Sequence, residues 1–564
     1  MTKNVRVTSV CALAGVALWA GTVSAQSAAD QARFREIARV AAQQFEAARI
    51  ASAEPQTRPT GPAPEPGTRV DLSVTEATAR ALERNLDIAV ERLNPQTFDL
   101  QVARLSAVYR PTLTSVFGQR MNVTPPTSTL NGGTRVTADT TTYNSGIAQA
   151  LKASGATLNF TFNNNRQTTT NNLVNYNPSF QNSFTFTAVQ PLLRNFRIDN
   201  NRQQLRVTSL NRDISETQLK GTIATTLASV RNAYWELVYS LQALEVARGS
   251  LTLAEKLVED NRARVQVGTL APLDVVQSEA EAATRRQAVA QAEATWRTSE
   301  LALKRLIVNG TDDPFWAATI NPTDQPTFAA EPVNVEAAVR QALQNRTDLS
   351  QGRQTLESND IVLRFMRNQL LPALDMTATY GAQGVGGTQF LRQGTGVNAT
   401  IIGTVPGGYT DAFRALTARD YPNWNLQVNL SYPIGSGAAE AQLARGRVQR
   451  NQAAAQLKSL ELQVATEVTN AALQVQSSLQ RYQAATVARG LAQQRLDAEQ
   501  SRFDVGLSTN FFVVQAQRDL STAQNTELRA LLDYRKALVD LERAQQAPAA
   551  RPTTITVLQG QAIN

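Results

Sequence analysis

The chain has 564 residues, of which 42% are hydrophobic, with one cysteine, no histidine and a formal net charge of +8. Without histidine the chain lacks the commonest general base and metal ligand, which argues against metalloenzymes and triad hydrolases. We therefore expect no enzyme activity, no catalytic residues, no cofactor and no metal site. The positive charge is dispersed among Glu and Asp, which favours a solvated surface over a nucleic-acid partner.

The first 25 residues are predicted to be a secretory signal peptide. Two basic residues precede an apolar run over 10–21, and residues 23–25 form a small-residue cleavage site. The only cysteine, Cys11, lies in this segment, so the rest of the chain cannot form disulfides. Residues 26–71 are predicted to be an N-terminal arm, a polar helix over 30–52 followed by a proline-rich linker.

The chain contains the same unit twice. Residues 85–113 resemble residues 346–374, with Asp87 corresponding to Asp348, and Arg264–Gly268 aligns with Arg502–Gly506. We predict one repeat over 72–311 and a second over 333–546, with a linker over 312–332 and a tail over 547–564.

Each repeat is predicted to have the same order of elements: a helix that ends at a proline, a β region, a very long helix, a glycine turn and a shorter helix. Between Pro433 and Pro548 there is no proline, and apolar residues recur at steps of three or four, which predicts continuous helix. A helix over 438–504 is about 100 Å long, too long for an ordinary globular domain. The predicted β region, long helix and short helix cover 112–190, 200–266 and 272–308 in the first repeat, and 373–433, 438–504 and 510–543 in the second.

The two helices of each repeat are predicted to fold back on each other at a glycine. Gly268 and Gly506 suit the left-handed position that ends many helices. Ser508 or Thr509 is predicted to cap the following helix by accepting a backbone N–H. Each turn then lies at the tip of a long hairpin, where a partner or a gate can be expected.

The β regions alternate between apolar and polar residues, as in Trp424 to Leu430. Spans of about nine to eleven residues with this pattern fit transmembrane barrel strands, about two in each half, or a soluble sheet with one wet face. The signal peptide and the long helices favour the membrane. Polar stretches over 124–144 and 381–420 are predicted to be external loops, and a further hairpin-like stretch near 154–162 enlarges the first half.

This order of elements and the tip sequences 264–269 and 502–507 resemble the TolC-like outer-membrane efflux protein family, over residues 72–545. The resemblance implies a mostly α fold with membrane β, in which three chains form a homotrimer with a shared outer-membrane β-barrel and a periplasmic α-helical barrel. It also implies a passive channel that contacts outer membrane lipid and works with a periplasmic adaptor protein and an inner-membrane transporter.

The sequence leaves other functions open. Type I protein secretion uses the same family scaffold as small-molecule efflux, and the sequence does not separate them. A trimeric coiled-coil stalk or adhesin would also be secreted and helical, but it would show one uninterrupted stalk. An envelope enzyme would need a cluster of polar side chains, and the sequence assembles none.

The resemblance implies that the adaptor docks on the two tips. The residues concerned are Gly268, Thr269, Gly506, Leu507 and Ser508. The competing interpretation is that both glycines only end their helices, which is compatible with docking.

The resemblance also implies a periplasmic gate. In the best-known family member, a tyrosine before the second tip glycine and an arginine after it bond to an aspartate of the first tip, and two further aspartates ring the constriction. The corresponding residues here are Phe503, Ser508, Asp274, Phe512 and Gln515.

That bonding network cannot form in this chain, because Phe503 has no hydroxyl and Ser508 no charge. We hypothesise instead that Phe512 narrows the entrance as a hydrophobic constriction. The alternatives are that Phe512 packs between the hairpin helices and that Asp274 only stabilises the start of its helix, beside Pro272.

Overall fold

The structure is a computed structural model that describes residues 39, 69–126, 134–325, 332–394, 400–432, 434–435 and 437–548. The chain divides into two compact units, residues 1–63 and 64–564. In the first unit only Arg39 is described, and it is helical. The predicted signal peptide and the rest of the predicted helix over 30–52 lie outside the described residues, as does the tail beyond residue 548.

Each half of the second unit carries short helices, then strands, then a pair of long helices. The first half contains β1 (Arg69–Leu72), α1 (Val74–Arg84), α2 (Leu86–Ala107), β2 (Thr112–Thr124), β3 (Val136–Ala150), β4 (Thr157–Thr169), β5 (Tyr176–Pro191), α3 (Asn200–Gln266) and α4 (Pro272–Ile307). After α5 (Pro314–Ala317) and β6 (Thr319–Pro322), the second half contains α6 (Val335–Asn345), α7 (Thr347–Gln369), β7 (Ala373–Gln393), β8 (Thr400–Val405), α8 (Tyr409–Ala418), β9 (Tyr421–Ser431), α9 (Ala438–Asp504) and α10 (Asn510–Gln546). The repeated order confirms the predicted duplicated unit.

The long helices α3 and α9 each have 67 residues, which at the standard helical rise is about 100 Å. One side of α9 is apolar because Val464, Val468, Ala472 and Val475 recur every three or four residues, and all four are buried. They pack in one core with residues of α10 such as Tyr534. Burial of this stripe holds the second hairpin together.

Each repeat has an equivalent joint, where a residue between its short helices contacts its hairpin. Asn85 lies between α1 and α2, and its Nδ2 donates to the carbonyl oxygen of Leu306 at 3.0 Å. The corresponding residue Arg346 lies between α6 and α7, and its Nη1 donates to the carbonyl oxygen of Ala544 at 3.1 Å. In each repeat the joint therefore ties the short helices to the end of the shorter hairpin helix.

The predicted linker over 312–332 carries regular structure, since it contains α5 and β6. β6 pairs in parallel with β1, with Arg69 opposite Thr319. The buried carboxylate of Asp313 accepts hydrogen bonds from Arg80 at 2.6 Å and from Arg84 at 3.1 Å. Residues 313–322 therefore pack into the first repeat.

The other seven described strands form one antiparallel sheet, in which β2-β3-β4-β5-β7 are neighbours in that order and both β8 and β9 pair with β7. β9 pairs with β7 over Ala373–Gln383, and β8 pairs with the far end of β7, over Gln389–Gln393. Both repeats thus contribute strands to the same sheet.

Four expectations about the strands were wrong. The six strands of this sheet other than β8 have 11 to 21 residues, mostly longer than expected, and the first half contributes four strands where about two were expected. The hairpin-like stretch expected near 154–162 is present, as the turn after β3 and the start of β4. The predicted loop over 124–144 contains the start of β3, whose Thr-rich sequence suits a strand because threonine is β-branched. The predicted loop over 381–420 contains the end of β7, all of β8 and α8.

The sheet has one apolar face and one polar face. One row of directly paired residues crosses all six strands and is apolar: Leu113, Ile147, Phe160, Phe186, Tyr380 and Trp424. The neighbouring row points to the opposite face, because successive side chains of a strand alternate, and it is polar or small: Thr114, Gly146, Thr161, Thr185, Gly381 and Asn423. Aromatic contacts link Phe160, Phe184 and Tyr380 along the apolar face.

The short helix α8 packs against the apolar face of β7. A Cβ atom on Gly384 would lie only 2.0 Å from the carbonyl oxygen of Ala412, and one on Gly386 would lie 2.5 Å from the Ala412 nitrogen. Only glycine at these two positions lets α8 approach so closely.

Candidate functional site

The tips of the two hairpins have the same backbone structure. α3 and α9 each end in a glycine with positive φ, +78° at Gly268 and +80° at Gly506. The N–H of Thr269 donates to the carbonyl oxygen of Arg264 at 2.9 Å, and the N–H of Leu507 donates to that of Arg502 at 2.8 Å. Both helices therefore end in a Schellman motif, which needs a left-handed residue. No other atom crowds either glycine, so only the backbone conformation requires it.

The start of α10 differs from the expected cap. Thr509 occupies the N-cap position, but its side chain accepts no backbone hydrogen bond. Ser508 does not cap the helix either, because its Oγ donates to Glu499 Oε2 at 2.7 Å. The predicted side-chain cap is thus wrong, and Ser508 instead binds the turn to the last part of α9.

The tips expose three large apolar side chains. Leu507 is 81% exposed, and Val505 and Val267 beside the two glycines are also largely exposed. Thr269 is exposed as well. The five predicted docking residues therefore lie in two similar turns, and Leu507 presents a large apolar side chain to solvent.

The two tips are fastened to each other at the ends of α3 and α9. Arg264 donates from Nη1 to the carbonyl oxygen of Phe503 at 3.2 Å and from Nη2 to Asp504 Oδ1 at 2.9 Å. Its guanidinium lies 4.5 Å from the centre of the Phe503 ring. Phe503 is only 3% exposed and packs with Leu257 and Val513. This predicted gate residue is therefore part of the core between the two tips.

A second link between the tips is a buried pair of asparagines. Asn261 Nδ2 donates to Asn510 Oδ1 at 2.9 Å, and both residues are buried. Asn510 Nδ2 donates in turn to the carbonyl oxygen of Asp274 at 3.3 Å. Asp274, in the first turn of α4 beside Pro272, is thus joined to the start of α10 through its main chain.

The other two predicted gate residues lie on the first turns of α10. Phe512 is 50% exposed, and its ring centre lies 5.6 Å from that of the exposed Phe511. Gln515 Nε2 donates to Asp519 Oδ1 at 2.9 Å. Within this chain Phe512 therefore lies on the surface of the tip, apart from the buried cluster that contains Phe503.

Farther from the tips, a buried carboxylate of the first hairpin binds a side chain of the second hairpin. Glu281 on α4 is 4% exposed, and it accepts hydrogen bonds from Arg285 Nε at 2.8 Å and from Arg518 Nε at 3.0 Å. Burial alone would raise the pKa of Glu281, but the hydrogen bond from Arg518 and the charges of Arg285 and Arg518 together lower that pKa below its ordinary value. Glu281 is therefore ionised at neutral pH.

Sequence reasoning missed Arg264, Asn261, Asn510, Glu281 and Arg518. Only Arg264 carried a usable signal, because it belongs to the tip sequence that the two repeats share. Its counterpart Arg502 binds Glu499 within α9 instead, at 3.1 Å. The repeated sequence therefore does not reveal which copy makes the contact between the hairpins.

The described part of the chain contains no group of three or more His, Cys, Asp and Glu side chains arranged to hold a metal ion. None of the helices that the structure describes is long and apolar enough to cross a membrane.

The sequence matches the family model described as "Outer membrane efflux protein" over residues 136–309 and 338–545, which is more than half of the chain. Among curated proteins, none matches it significantly.

Solved structures of outer-membrane proteins have a similar fold. The CmeC channel of Campylobacter jejuni is 13% identical, with 84% of this chain and 85% of CmeC covered at a TM-score of 0.57. For VceC of Vibrio cholerae the identity is 16%, the coverage 85% and 97%, and the TM-score 0.57. The MtrE channel of Neisseria gonorrhoeae, solved in an open state, is 17% identical. The match covers 85% of this chain and 90% of MtrE, at a TM-score of 0.56. At such low identity the likeness concerns the fold.

Proposed function

The chain belongs to the outer membrane efflux protein family, and from this premise we propose that it is the outer-membrane channel of a tripartite efflux system. In this proposal the protein conducts substrates passively to the exterior, while an inner-membrane transporter supplies the energy through a periplasmic adaptor protein. The observation that carries the proposal is a sheet with one apolar and one polar face, joined to two helical hairpins whose longer helices are each about 100 Å long.

The sheet supplies the part of the channel in the outer membrane. Trp424 is 77% exposed in a single chain, and Leu426, Val428 and Leu430 on the same face of β9 are also exposed. Contact with lipid accounts for these side chains, because a transmembrane barrel strand is apolar outside and polar towards its watery lumen. The Thr- and Asn-rich face would then line the path of the substrate.

The helices supply the part of the channel in the periplasm. Leu462, Leu473, Val487 and Leu491 are exposed apolar residues of α9. Their spacings of eleven, fourteen and four residues bring them to one side of the helix. A long exposed apolar stripe requires a partner, and we propose that a second copy of the chain covers it, in a homotrimer that surrounds one conduit.

The paired tips are the proposed docking site for the adaptor. Leu507, Val267 and Val505 are exposed apolar residues on two turns that backbone hydrogen bonds close. Apolar groups on such preformed turns are well suited to bind a partner, because preorganisation lowers the entropy lost on binding.

The proposed gate lies on the first turns of α10. Phe512 is exposed and can approach its counterparts in the other two copies, with Gln515 one turn behind it. Phe503 and Asp274 have a different role in this proposal, because their contacts hold the two hairpins of one chain together.

We expect Leu507→Asp to abolish efflux while leaving the amount of protein in the outer membrane unchanged. A charged side chain in an apolar contact has to lose its water without gaining a partner. The measurement is the resistance of cells to exported compounds, which should fall to the level of a strain without the gene.

Thr509→Asp is the matched control for this experiment. It adds the same charge two residues away, at an N-cap position where aspartate is favourable, and it should preserve efflux. Normal efflux in Leu507→Asp at normal protein level would contradict docking at Leu507.

Deletion of the gene tests the function itself. The proposal predicts that the deletion strain becomes sensitive to small toxic compounds, accumulates a fluorescent efflux substrate and secretes an unchanged set of proteins. Restoration by the wild-type gene and not by Leu507→Asp would link the effect to the channel. Unchanged sensitivity together with loss of a secreted protein would indicate type I protein secretion instead.

A further inference from the structure

The hairpin formed by β3 and β4 is an integral part of the sheet, inserted between β2 and β5. We propose that this hairpin enlarges the shared barrel, so that its wall contains six strands from each of three copies, eighteen in total. The inference rests on the proposed function. It differs from the expectation of about two strands per half, which would give twelve strands in a trimer.

The register shows that the hairpin belongs to the wall. β3 pairs with β2 over the whole range Thr112–Thr124, and β4 pairs with β5 over Thr157–Gln167. The hairpin also continues both faces of the sheet. Ile147 and Phe160 fill the apolar row, and Gly146 and Thr161 fill the polar row.

β8 is not counted in the wall. It pairs only with Gln389–Gln393 of β7, beyond the stretch of β7 that pairs with β9. α8 lies against the apolar face of β7, so it adds no strand either. The path through the membrane is therefore β2-β3-β4-β5-β7-β9.

The two ends of this path are open edges suited to each other. Every residue of β2 and of β9 is exposed, on both faces. Long exposed edge strands with large apolar side chains are a liability unless another strand covers them. The directions also fit: β2 runs away from α2 and β9 returns to α9, so β9 of one copy and β2 of the next copy are antiparallel.

Six strands per chain preserve this alternation around a closed ring, because an odd number would bring two parallel strands together at each junction. One chain cannot close on itself around a channel, since about eight strands are needed merely to enclose side chains. At a strand spacing of about 4.8 Å and a tilt of about 40°, a barrel of eighteen strands is roughly 36 Å across, and one of twelve strands roughly 24 Å. The hairpin thus widens the exit and admits bulkier cargo.

The test is electron cryomicroscopy of the full chain in lipid nanodiscs. The expected result is a trimer whose barrel has eighteen strands and a backbone diameter of about 36 Å. A closed trimeric barrel of twelve strands, with β3 and β4 outside the wall, would overturn this inference and leave the proposed function intact. Copies that share no barrel would contradict the proposed function as well.

A variant that lacks residues 136–169 provides an independent measurement. It keeps an even number of strands, and β2 and β5 become antiparallel neighbours. In planar bilayers, the largest polyethylene glycol that enters from the outer side should be smaller for this variant than for the wild type. A variant that lacks α8, residues 409–418, serves as the control and should exclude the same polymers as the wild type. An unchanged polymer exclusion size in the variant without β3 and β4 would overturn the inference. If this variant does not assemble, the number of barrel strands seen in the wild-type trimer decides whether the inference holds.

Discussion

Phe512→Ala is expected to raise the resting conductance of the channel in planar bilayers severalfold. In the proposed trimer, three Phe512 side chains meet at the periplasmic entrance and oppose ions by keeping water out of a narrow passage. Phe512 is exposed at the tip of its own chain, so it is available to contact its counterparts in the other two copies. Alanine lacks the phenyl ring, so the passage becomes wider and admits water.

Asp274→Asn is the matched control. Asp274 contacts the other hairpin through its main-chain carbonyl oxygen, which the substitution leaves unchanged. The conductance of this variant should stay near the wild-type value. The hydrophobic gate also predicts that trivalent cations added on the periplasmic side block the channel poorly. Strong block, or no change of conductance in Phe512→Ala, would place the gate elsewhere. A loss of trimers in Phe512→Ala would instead indicate that Phe512 packs between copies.

Asp348→Ala is expected to cause a large loss of folding stability. Asp348 Oδ1 and Oδ2 accept hydrogen bonds from Arg346 at 3.0 and 2.8 Å, and both residues are buried. Burial lowers the pKa of Arg346, but hydrogen bonds and charges of Asp348 and Glu467 outweigh that effect and raise it, so Arg346 stays charged. Removing one partner of a buried ion pair should lower the free energy of unfolding by about 3 kcal/mol. This value is at the low end of the usual range because Glu467 Oε2 remains 2.8 Å from Arg346 Nη1.

The measurement is the melting temperature of the solubilised protein, which should fall by about 3 °C for a folding unit of this size. The internal duplication supplies a matched control. Asp87 corresponds to Asp348 but is exposed, and Asn85 replaces the arginine there. Asp87→Ala should therefore cost only about 0.5 kcal/mol, the effect of a charge in the first turn of a helix. Equal losses in the two variants would mean that the buried ion pair contributes little.

The sequence predicts the fold class well because the strongest signals are long and periodic. The proline-free spans and the apolar residues at steps of three or four predict the long helices, which the structure has as α3 and α9. The strands are harder to predict, because threonine, asparagine and glycine are common both in polar strand faces and in loops. Residues 136–142 therefore resemble a loop in sequence, although they pair with β2 and β4.

The candidate site is only partly predictable for a different reason. The glycines that end α3 and α9 are visible in sequence because a left-handed conformation demands them. Contacts such as Asn261 with Asn510, or Glu281 with Arg518, join residues more than 230 positions apart, and polar residues of these types carry no local signature. Whether Phe503 is buried or lines a passage likewise depends on the packing of the second hairpin against the first.

In the proposed channel, the sheet is a membrane wall with lipid on one face and water on the other. Single cysteines along β9 test it directly, because the only natural cysteine, Cys11, lies in the predicted signal peptide. We expect cysteines at Asn425, Gln427 and Asn429 to react in the assembled channel with a small charged thiol reagent, whereas cysteines at Leu426, Val428 and Leu430 should react only after the membrane is dissolved. Equal reactivity at all six positions, or the opposite alternation, would contradict this arrangement of the sheet in the membrane.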